Sequence, residues 1–210
     1  MSLVTIRGQL GTGSPEIGRL VADQIKADYV DREIIAEVAA RLQRKEQDVI
    51  AKETPPSGLL GRITEALEHS ASIDVGFEGA YLPAWEIPLN DTRYLKTLES
   101  VVRELAQKPP LVIRGRGSHF ILKDYPQSLH VLIVAPLKVR EKRVMESLHL
   151  DAEAAKKEIS RTDNSSREFI KRYFKAEMED PKRYDLVINT EHLRFEAAAS
   201  IVVHALSFKN

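Results

Sequence analysis

Residues 4–18, VTIRGQLGTGSPEIG, run from a short β-branched segment through a cluster of glycines into a stretch with helical periodicity. A loop that grips phosphate between a strand and a helix has this layout, with the pattern G-x-x-x-x-G-K-[ST]. Gly8 and Gly13 keep the spacing of that pattern. Ser14, however, stands where the pattern has lysine, and Pro15 stands where it has a hydroxyl residue. The stretch therefore predicts a nucleotide-binding loop, a P-loop, that lacks its usual cation.

The glycines matter because backbone N–H groups can converge on an anion only where no side chain obstructs them and positive φ is allowed. Ser14 is a favourable N-cap and Pro15 suits a first helical position, so we expect the helix to begin there and to point its positive end at the phosphates. The predicted phosphate-binding residues are Gly8, Gly11, Thr12, Gly13 and Ser14. The alternative is a glycine turn that joins a strand to a helix and binds nothing.

Composition limits the class of protein. The 210 residues include 31 Lys+Arg and 31 Asp+Glu, so the formal net charge is zero, and 43% of the chain is hydrophobic. That length and composition suit one α/β domain with a proper core. No net positive field favours nucleic acid or an anionic membrane, so neither is an expected partner. The chain has no cysteine and no apolar run long enough to span a bilayer. We expect a cytoplasmic protein.

Short apolar runs alternate with helix-period stretches along the chain. The runs lie at residues 4–6, 29–30, 111–113, 129–134 and 185–188. Strands that alternate with helices call for a parallel sheet that is covered on both faces. The sequence therefore predicts an α/β fold, a P-loop NTPase-type three-layer sandwich, as a single domain over residues 1–210. It also predicts a helical insertion over residues 32–108 and a charged helical segment over residues 138–183.

Several stretches carry a family resemblance together. After the loop and its continuation EIGR, the chain has YVDREII at 29–35, VIRGRG at 112–117, APLKVREKR at 135–143 and DPKRYDLVINT at 180–190. In this order they resemble the bacterial cytidylate kinase-like family, relatives of the nucleoside monophosphate kinases, over nearly the whole chain. Loss of the loop lysine is itself common in that family. The resemblance implies that the insertion lies on the acceptor side and that the charged segment is a lid.

Two residues are predicted to bind the acceptor. Arg116 matches the arginine that grips the acceptor nucleotide in cytidylate kinases, and its flanking glycines let a planar guanidinium approach a phosphate. The alternative is a surface salt bridge. Asp31 resembles a carboxylate beside the acceptor, where it would orient the attacking oxygen or hold a metal-bound water. Its alternative is the N-cap of the next helix. Tyr81 and Trp85 are candidates for stacking on a base, or for core or subunit contact.

The lid segment supplies the remaining predicted catalytic residues beside Asp31. Arg140 and Arg143 are three residues apart and therefore lie on one helix face. In nucleoside monophosphate kinases, arginines here close over the donor and neutralise charge on the transferring group. Arg161, Asp163, Arg167 and Arg172 form the opposite arm of the implied lid, and Arg161 and Arg167 are its predicted catalytic residues. The alternative is a charged helical pair that only faces solvent.

The resemblance implies a phosphotransferase that moves a phosphoryl group from ATP or another NTP to a pyrimidine nucleoside monophosphate or a related small acceptor. It implies Mg²⁺ as cofactor, with unknown metal ligands, and small-molecule nucleotides as partners, and it leaves a homo-oligomer open. One alternative is a nucleotide-binding module without turnover, because this chemistry rests on charge and positioning. Another is an oligomeric structural protein that kept the fold and lost the ligand.

Overall fold

The computed structural model describes residues 2–53, 90–125 and 127–209. Five parallel strands form one sheet in the order β2-β3-β1-β4-β5. The strands are β1 (Leu3–Gly8), β2 (Asp28–Val30), β3 (Leu111–Arg114), β4 (Ser128–Val134) and β5 (Leu186–Asn189). Each strand lies where an apolar run predicted it, with ends that differ by one or two residues. The predicted α/β fold with a central parallel sheet is confirmed.

The longer helices fall in the predicted helix-period stretches, whereas the short helix Ser118–Ile121 was not predicted. The helices are α1 (Ser14–Ile25), α2 (Glu33–Leu42), α3 (Glu46–Glu53), α4 (Asp91–Leu105), α5 (Ser118–Ile121), α6 (Leu137–Leu148), α7 (Ala152–Phe174) and α8 (Phe195–Ser207), with a 3-10 turn at Pro181–Arg183. In the part of the chain that the structure describes, none of them is long and apolar enough to cross a membrane. Tyr81 and Trp85 lie outside the described residues, so their predicted stacking stays a prediction.

The two faces of the sheet are covered by different helices. On one face, Val4 and Ile6 of β1 are buried with Ile17 of α1 and Val202 of α8. On the other face, Leu3 of β1 is buried in a cluster to which α2, α4 and α7 contribute. This alternation follows the two-residue period of a strand, which points successive side chains to opposite faces. The predicted three-layer arrangement is therefore confirmed.

The parallel strands bring their carboxyl ends to one edge of the sheet. Ile6 of β1 pairs with Arg114 at the end of β3, and Gly8 pairs with Ile133 near the end of β4. Ligands of open parallel sheets bind at this edge. The glycine loop after β1 therefore lies beside the residues that follow β3, and the candidate site is built there.

The start of α1 differs from the prediction by one position. Ser14 is the first residue of the helix, and Gly13 occupies the N-cap with φ 84° and without a side-chain cap. The prediction that Ser14 is the N-cap is wrong, because the cap adopts a left-handed backbone that glycine takes without strain. The space is also closed to a side chain, since a Cβ on Gly13 would lie 2.3 Å from the Phe195 ring.

The two predicted segments contain the expected helices, but their functional assignment stays a prediction. The structure places α2, α3 and α4 within residues 32–108. Helices α6 and α7 span residues 137–174, so α6 begins one residue before the predicted 138–183 segment. The last turns of α7 are part of the core, because Phe169, Ile170 and Tyr173 are buried there.

Candidate active site

The glycine loop is held in one conformation by side chains from its own residues and from its neighbours. The Thr12 hydroxyl donates to the Gln9 carbonyl at 2.7 Å, and the Thr190 hydroxyl donates to the Thr12 carbonyl at 2.9 Å. The first amides of α1 have no acceptor within the helix and face this loop. A loop with fixed amides beside a helix N-terminus can receive an anion with little reorganisation.

Arg140 lies beneath this loop in a buried ion pair. Its guanidinium is 2.7 Å from the Asp163 carboxylate, and the two side chains are 8% and 5% exposed. Arg140 also donates to the Leu10 carbonyl at 3.2 Å, while the Leu10 N–H donates to Asp163 at 3.2 Å. The pair therefore holds both polar groups of one loop residue. This geometry gives Arg140 a structural part in the loop, and its catalytic role stays a prediction.

Arg143 connects the loop to the segment after β5. Its guanidinium donates to the Thr190 carbonyl at 2.6 Å and to the Gly11 carbonyl at 3.4 Å, and it lies over the Phe195 ring at 5.0 Å. Arg140 and Arg143 do share a helix face, as their spacing predicted, and that face contacts the loop backbone.

Arg161 and Arg167, the predicted catalytic residues of the opposite arm of the implied lid, lie in different surroundings. The Arg161 side chain is 65% exposed, pairs with Glu158 at 2.6 Å and borders the large cleft described below. The Arg167 side chain is 42% exposed and contacts Asn164 at 3.0 Å and Glu179 at 3.4 Å. Arg167 is not among the described residues that line the cleft. The structure therefore brings Arg161, but not Arg167, to the same cleft as Asp31 and Arg116.

That cleft has a volume of about 510 Å³ and lies at the carboxyl edge of the sheet. Its described lining combines arginines, a smaller number of carboxylates and an apolar wall. The arginines are Arg7, Arg32, Arg114, Arg116 and Arg161, the carboxylates are Asp31, Glu46 and Glu53, and the apolar residues are Ile35, Ile50, Phe169 and Ile170. Excess positive charge next to an apolar wall suits a small organic molecule that carries phosphate.

Arg116 occupies a strained turn within this cleft. Gly115, Arg116 and Gly117 have φ values of 76°, 53° and 67°, so three successive residues are left-handed. Such a backbone costs about 1 to 2 kcal/mol for a residue that has a Cβ, and strain of this kind collects at functional sites. Arg116 forms an ion pair with Glu53, which also accepts a hydrogen bond from Tyr94 at 2.7 Å. Arg116 is thus paired, as the alternative expected, but in the cleft and with a nearly buried partner.

Burial lowers the pKa of Arg116 but does not remove its charge at neutral pH. Desolvation is the main cause that lowers the pKa of Arg116 to about 10; the Asp31 carboxylate opposes this shift, and the positive charges of Arg7 and Arg32 add to it. The guanidinium still carries its charge at neutral pH. It therefore remains able to bind a phosphate.

Asp31 faces the cleft and does not cap α2. The N-cap of that helix is Arg32, which makes no side-chain cap, and the Asp31 N–H instead donates to the Glu33 carboxylate at 2.9 Å. The alternative reading of Asp31 as an N-cap is therefore wrong. Its carboxylate accepts a hydrogen bond from Arg114 Nη1 at 2.7 Å.

Arg114 is one of the cleft arginines that the sequence analysis did not single out, as are Arg7 and Arg32. The Arg114 Nε donates to the Ser14 hydroxyl at 3.3 Å, so this arginine joins the glycine loop to Asp31. The signal was present in VIRGRG, whose first arginine ends a strand beside the loop strand. Within the described ranges, no three His, Cys, Asp or Glu side chains come together as a metal site.

The model of the cytidylate kinase-like family matches residues 3–192. The chain belongs to the cytidylate kinase-like family. It is 25% identical to the cytidylate kinase of Sulfolobus acidocaldarius over 207 residues, which cover 99% of this chain and 95% of that protein. It is also 25% identical to the cytidylate kinase of Methanothermobacter thermautotrophicus over 200 residues, 94% of this chain and 99% of that one. Family membership identifies the chain as a nucleotide-binding phosphotransferase, without specifying its acceptor.

Solved structures show the same fold. An uncharacterized protein from Eubacterium ventriosum superposes with a TM-score of 0.70 at 17% identity, over 99% of both chains. Shikimate kinase from Bacteroides thetaiotaomicron superposes with a TM-score of 0.52 at 10% identity, over 99% of both chains. At these identities the likeness concerns the fold, and the P-loop kinase architecture predicted from the sequence is confirmed.

Proposed function

We propose that this cytidylate kinase-like protein moves the γ-phosphoryl group of ATP or another NTP to a pyrimidine nucleoside monophosphate such as CMP. One observation carries the proposal. Arg114 contacts Ser14 in the glycine loop and Asp31 in the arginine-lined cleft, so a donor on the loop and an acceptor in the cleft would share a wall. Phosphoryl transfer needs its attacking and leaving oxygens in line and close together, and catalysis is mostly positioning and charge.

On the donor side, the loop from Gly8 to Ser14 would hold the phosphates with backbone N–H groups and the N-terminus of α1. Arg140 and Arg143 would act from beneath the loop, by keeping the carbonyls of Leu10 and Gly11 turned toward themselves. A carbonyl that is held by arginine does not face the phosphates. This would favour anion binding even if neither arginine touches the nucleotide.

On the acceptor side, Arg116 would hold the monophosphate, and the wall that contains Ile35 and Phe169 would take the apolar faces of the base and sugar. Binding of phosphate would compete with Glu53 for the Arg116 guanidinium. Arg161 is exposed at the rim and could close over the transferring group. Asp31 would orient the attacking oxygen.

Mg²⁺ fits this site as an ion that arrives with the nucleotide. Mg²⁺ keeps several waters and takes one or two carboxylates plus substrate phosphates, so it does not require a protein cage. Asp31 is a carboxylate at the edge beside the loop and could hold one of the waters. When bound, the ion would neutralise charge on the phosphate oxygens. A cytoplasmic location and the lack of a nucleic-acid partner stay predictions.

The second candidate is a nucleotide-binding module with little or no turnover. The observation that favours it is the loop itself, because Ser14 and Pro15 replace the lysine and the hydroxyl residue of the P-loop pattern. Loss of one preorganised positive contact can reduce turnover by a factor of about 10² to 10³. A slow kinase and a pure binder therefore share this geometry.

Phosphoryl transfer can be tested by ³¹P NMR of protein, MgATP and one acceptor at a time: CMP, UMP, AMP or shikimate. We expect ADP and a nucleoside diphosphate with a pyrimidine acceptor, and no product with shikimate. Arg116→Ala should raise the KM for the acceptor far more than that for ATP, whereas Arg103→Ala on the exposed side of α4 should change neither. Calorimetric binding of ATP without product would support the module instead. Absence of any nucleotide binding would refute both.

A further inference from the structure

The glycine loop lacks the positive charge of the P-loop lysine, and the side chain of a neighbouring arginine can replace that charge. The P-loop pattern places lysine at residue 14, and Ser14 is fully buried there. The group that covers its hydroxyl is the Arg114 guanidinium, whose Nε is 3.3 Å away. A permanent positive charge therefore lies at the residue where the pattern requires one, although it comes from a different strand.

The backbone around Arg114 fixes this placement. Arg114 pairs with Ile6 in the parallel register of β3 and β1, and the next residue, Gly115, donates its N–H to the Ile6 carbonyl at 3.1 Å. Arg114 therefore sits on the strand adjacent to the loop strand, at its carboxyl end. Its side chain is 26% exposed, so the guanidinium reaches the cleft and is not sealed in the core.

The side chain also keeps donors available. Guanidinium has five N–H donors, and Nε and Nη1 account for the contacts with Ser14 and Asp31. Asp31 holds one edge of the planar group and fixes its orientation, and within the described part of the chain these two contacts leave other N–H groups for a phosphate. Arginine suits this task because its planar fork binds phosphate oxygens in pairs and stays charged when partly buried.

Three other arginines near the loop or the cleft, Arg140, Arg143 and Arg161, are less well placed for the same task. Arg140 is paired with Asp163 beneath the loop, and Arg143 donates to the carbonyls of Gly11 and Thr190. Arg161 is exposed and paired with Glu158. Among the described residues, Arg114 is the arginine that hydrogen-bonds the side chain at position 14.

We propose that Arg114 supplies the positive charge that a P-loop lysine would supply, and that it contacts the transferring phosphoryl group from β3. The proposal rests on the phosphotransferase function proposed above and adds a catalytic residue to it. Because Arg114 also holds Asp31 at the cleft, it would act on the donor and position the acceptor side together.

Moving the charge back to the loop tests this assignment. Arg114→Gln should weaken ADP binding and lower kcat with MgATP and CMP at least tenfold, while adenosine, which has no phosphate, should bind as it does to the parent protein. Ser14→Lys in the parent background should also lower kcat, because the new ammonium would meet the Arg114 guanidinium in a buried space. In the Arg114→Gln background the same lysine should restore at least part of the lost kcat and ADP affinity.

Ser14→Lys is thus expected to lower kcat in the parent and to raise it in the Arg114→Gln background. These opposite effects distinguish a charge role of Arg114 from a packing role, since a lysine on α1 cannot replace packing lost on β3. Arg114→Gln/Asp31→Asn controls for the carboxylate left without its partner, and should still bind ADP at least tenfold more weakly than the parent. Full recovery of ADP affinity in that double variant, or a gain in kcat for Ser14→Lys in the parent, would overturn the proposal. A parent protein that binds no nucleotide would overturn the proposed function as well, whereas a parent that binds and variants that bind equally would overturn only the role of Arg114.

Discussion

Replacing Arg140 with alanine should reduce the free energy of unfolding by about 3 to 5 kcal/mol, because removal of one member of a buried pair leaves the other charge without compensation. Asp163 is that other member, with a side chain only 5% exposed. The loss should extend to the glycine loop, since Leu10 has both polar backbone groups bound to this pair. ATP should therefore bind more weakly even to the fraction that remains folded.

Equilibrium urea unfolding, followed by circular dichroism, measures the stability change directly. Arg161→Ala is the matched control, because its pair is exposed and such pairs contribute about 0 to 1 kcal/mol. Arg140→Met/Asp163→Leu should be more stable than Arg140→Ala, since it leaves no unpaired buried charge. An Arg140→Ala protein that is inactive but within about 1 kcal/mol of the parent, the size of an exposed pair, would refute this reasoning and identify Arg140 as a catalytic residue.

Two further experiments test other parts of the fold. Gly13→Ala should reduce the free energy of unfolding by about 2 to 5 kcal/mol, from left-handed strain and overpacking together, because its Cβ would lie 2.3 Å from the Phe195 ring. Gly115→Ala is the control and should cost only the strain, because the nearest atom to its Cβ would be 3.9 Å away. Equal losses in urea titrations would contradict the role of Phe195. Burial lowers the pKa of His119 to about 3 from the usual 6.5. Below pH 6.5 the unfolded chain therefore takes up a proton that the native state does not, so the protein loses stability as the pH falls. Between pH 7 and pH 5 the parent should therefore lose about 2 kcal/mol more than His119→Phe, and parallel pH profiles would show that His119 does not contribute.

The strands and the glycine loop could be predicted because their signals are local. A β-branched run such as Val4 to Ile6 alternates between two buried faces, and the spacing of Gly8 and Gly13 is set by the loop that they form. The start of α1 was missed by one residue because Gly13, and not Ser14, forms the cap with a left-handed backbone, and the space beside Gly13 is filled by Phe195 from a distant part of the chain. No pattern within residues 4–18 contains that contact.

For the arginines too, the sequence predicted part of the arrangement, and the rest needed the structure. Helical spacing correctly placed Arg140 and Arg143 on one face, but it could not tell whether that face meets a phosphate or a buried carboxylate. In VIRGRG, two arginines stand two residues apart, and the flanking glycines and the family resemblance gave a predicted role to Arg116 alone. The structure turns Arg114 toward the loop and Arg116 toward Glu53, because the strand ends at the first and a left-handed turn carries the second.

The sequence alone determined the fold class and the position of the glycine loop, because each follows from periodicity and motifs that extend over a few residues at a time. It also carried the family resemblance, in the order of several stretches along nearly the whole chain. The tertiary structure alone decided which group each charge meets. Arg140 and Asp163 are 23 residues apart in the chain, Arg114 and Ser14 are 100 apart, and Arg143 and Gly11 are 132 apart. An ion pair depends on distances of a few ångströms. Over such separations along the chain, those distances are set by how sheet and helices pack.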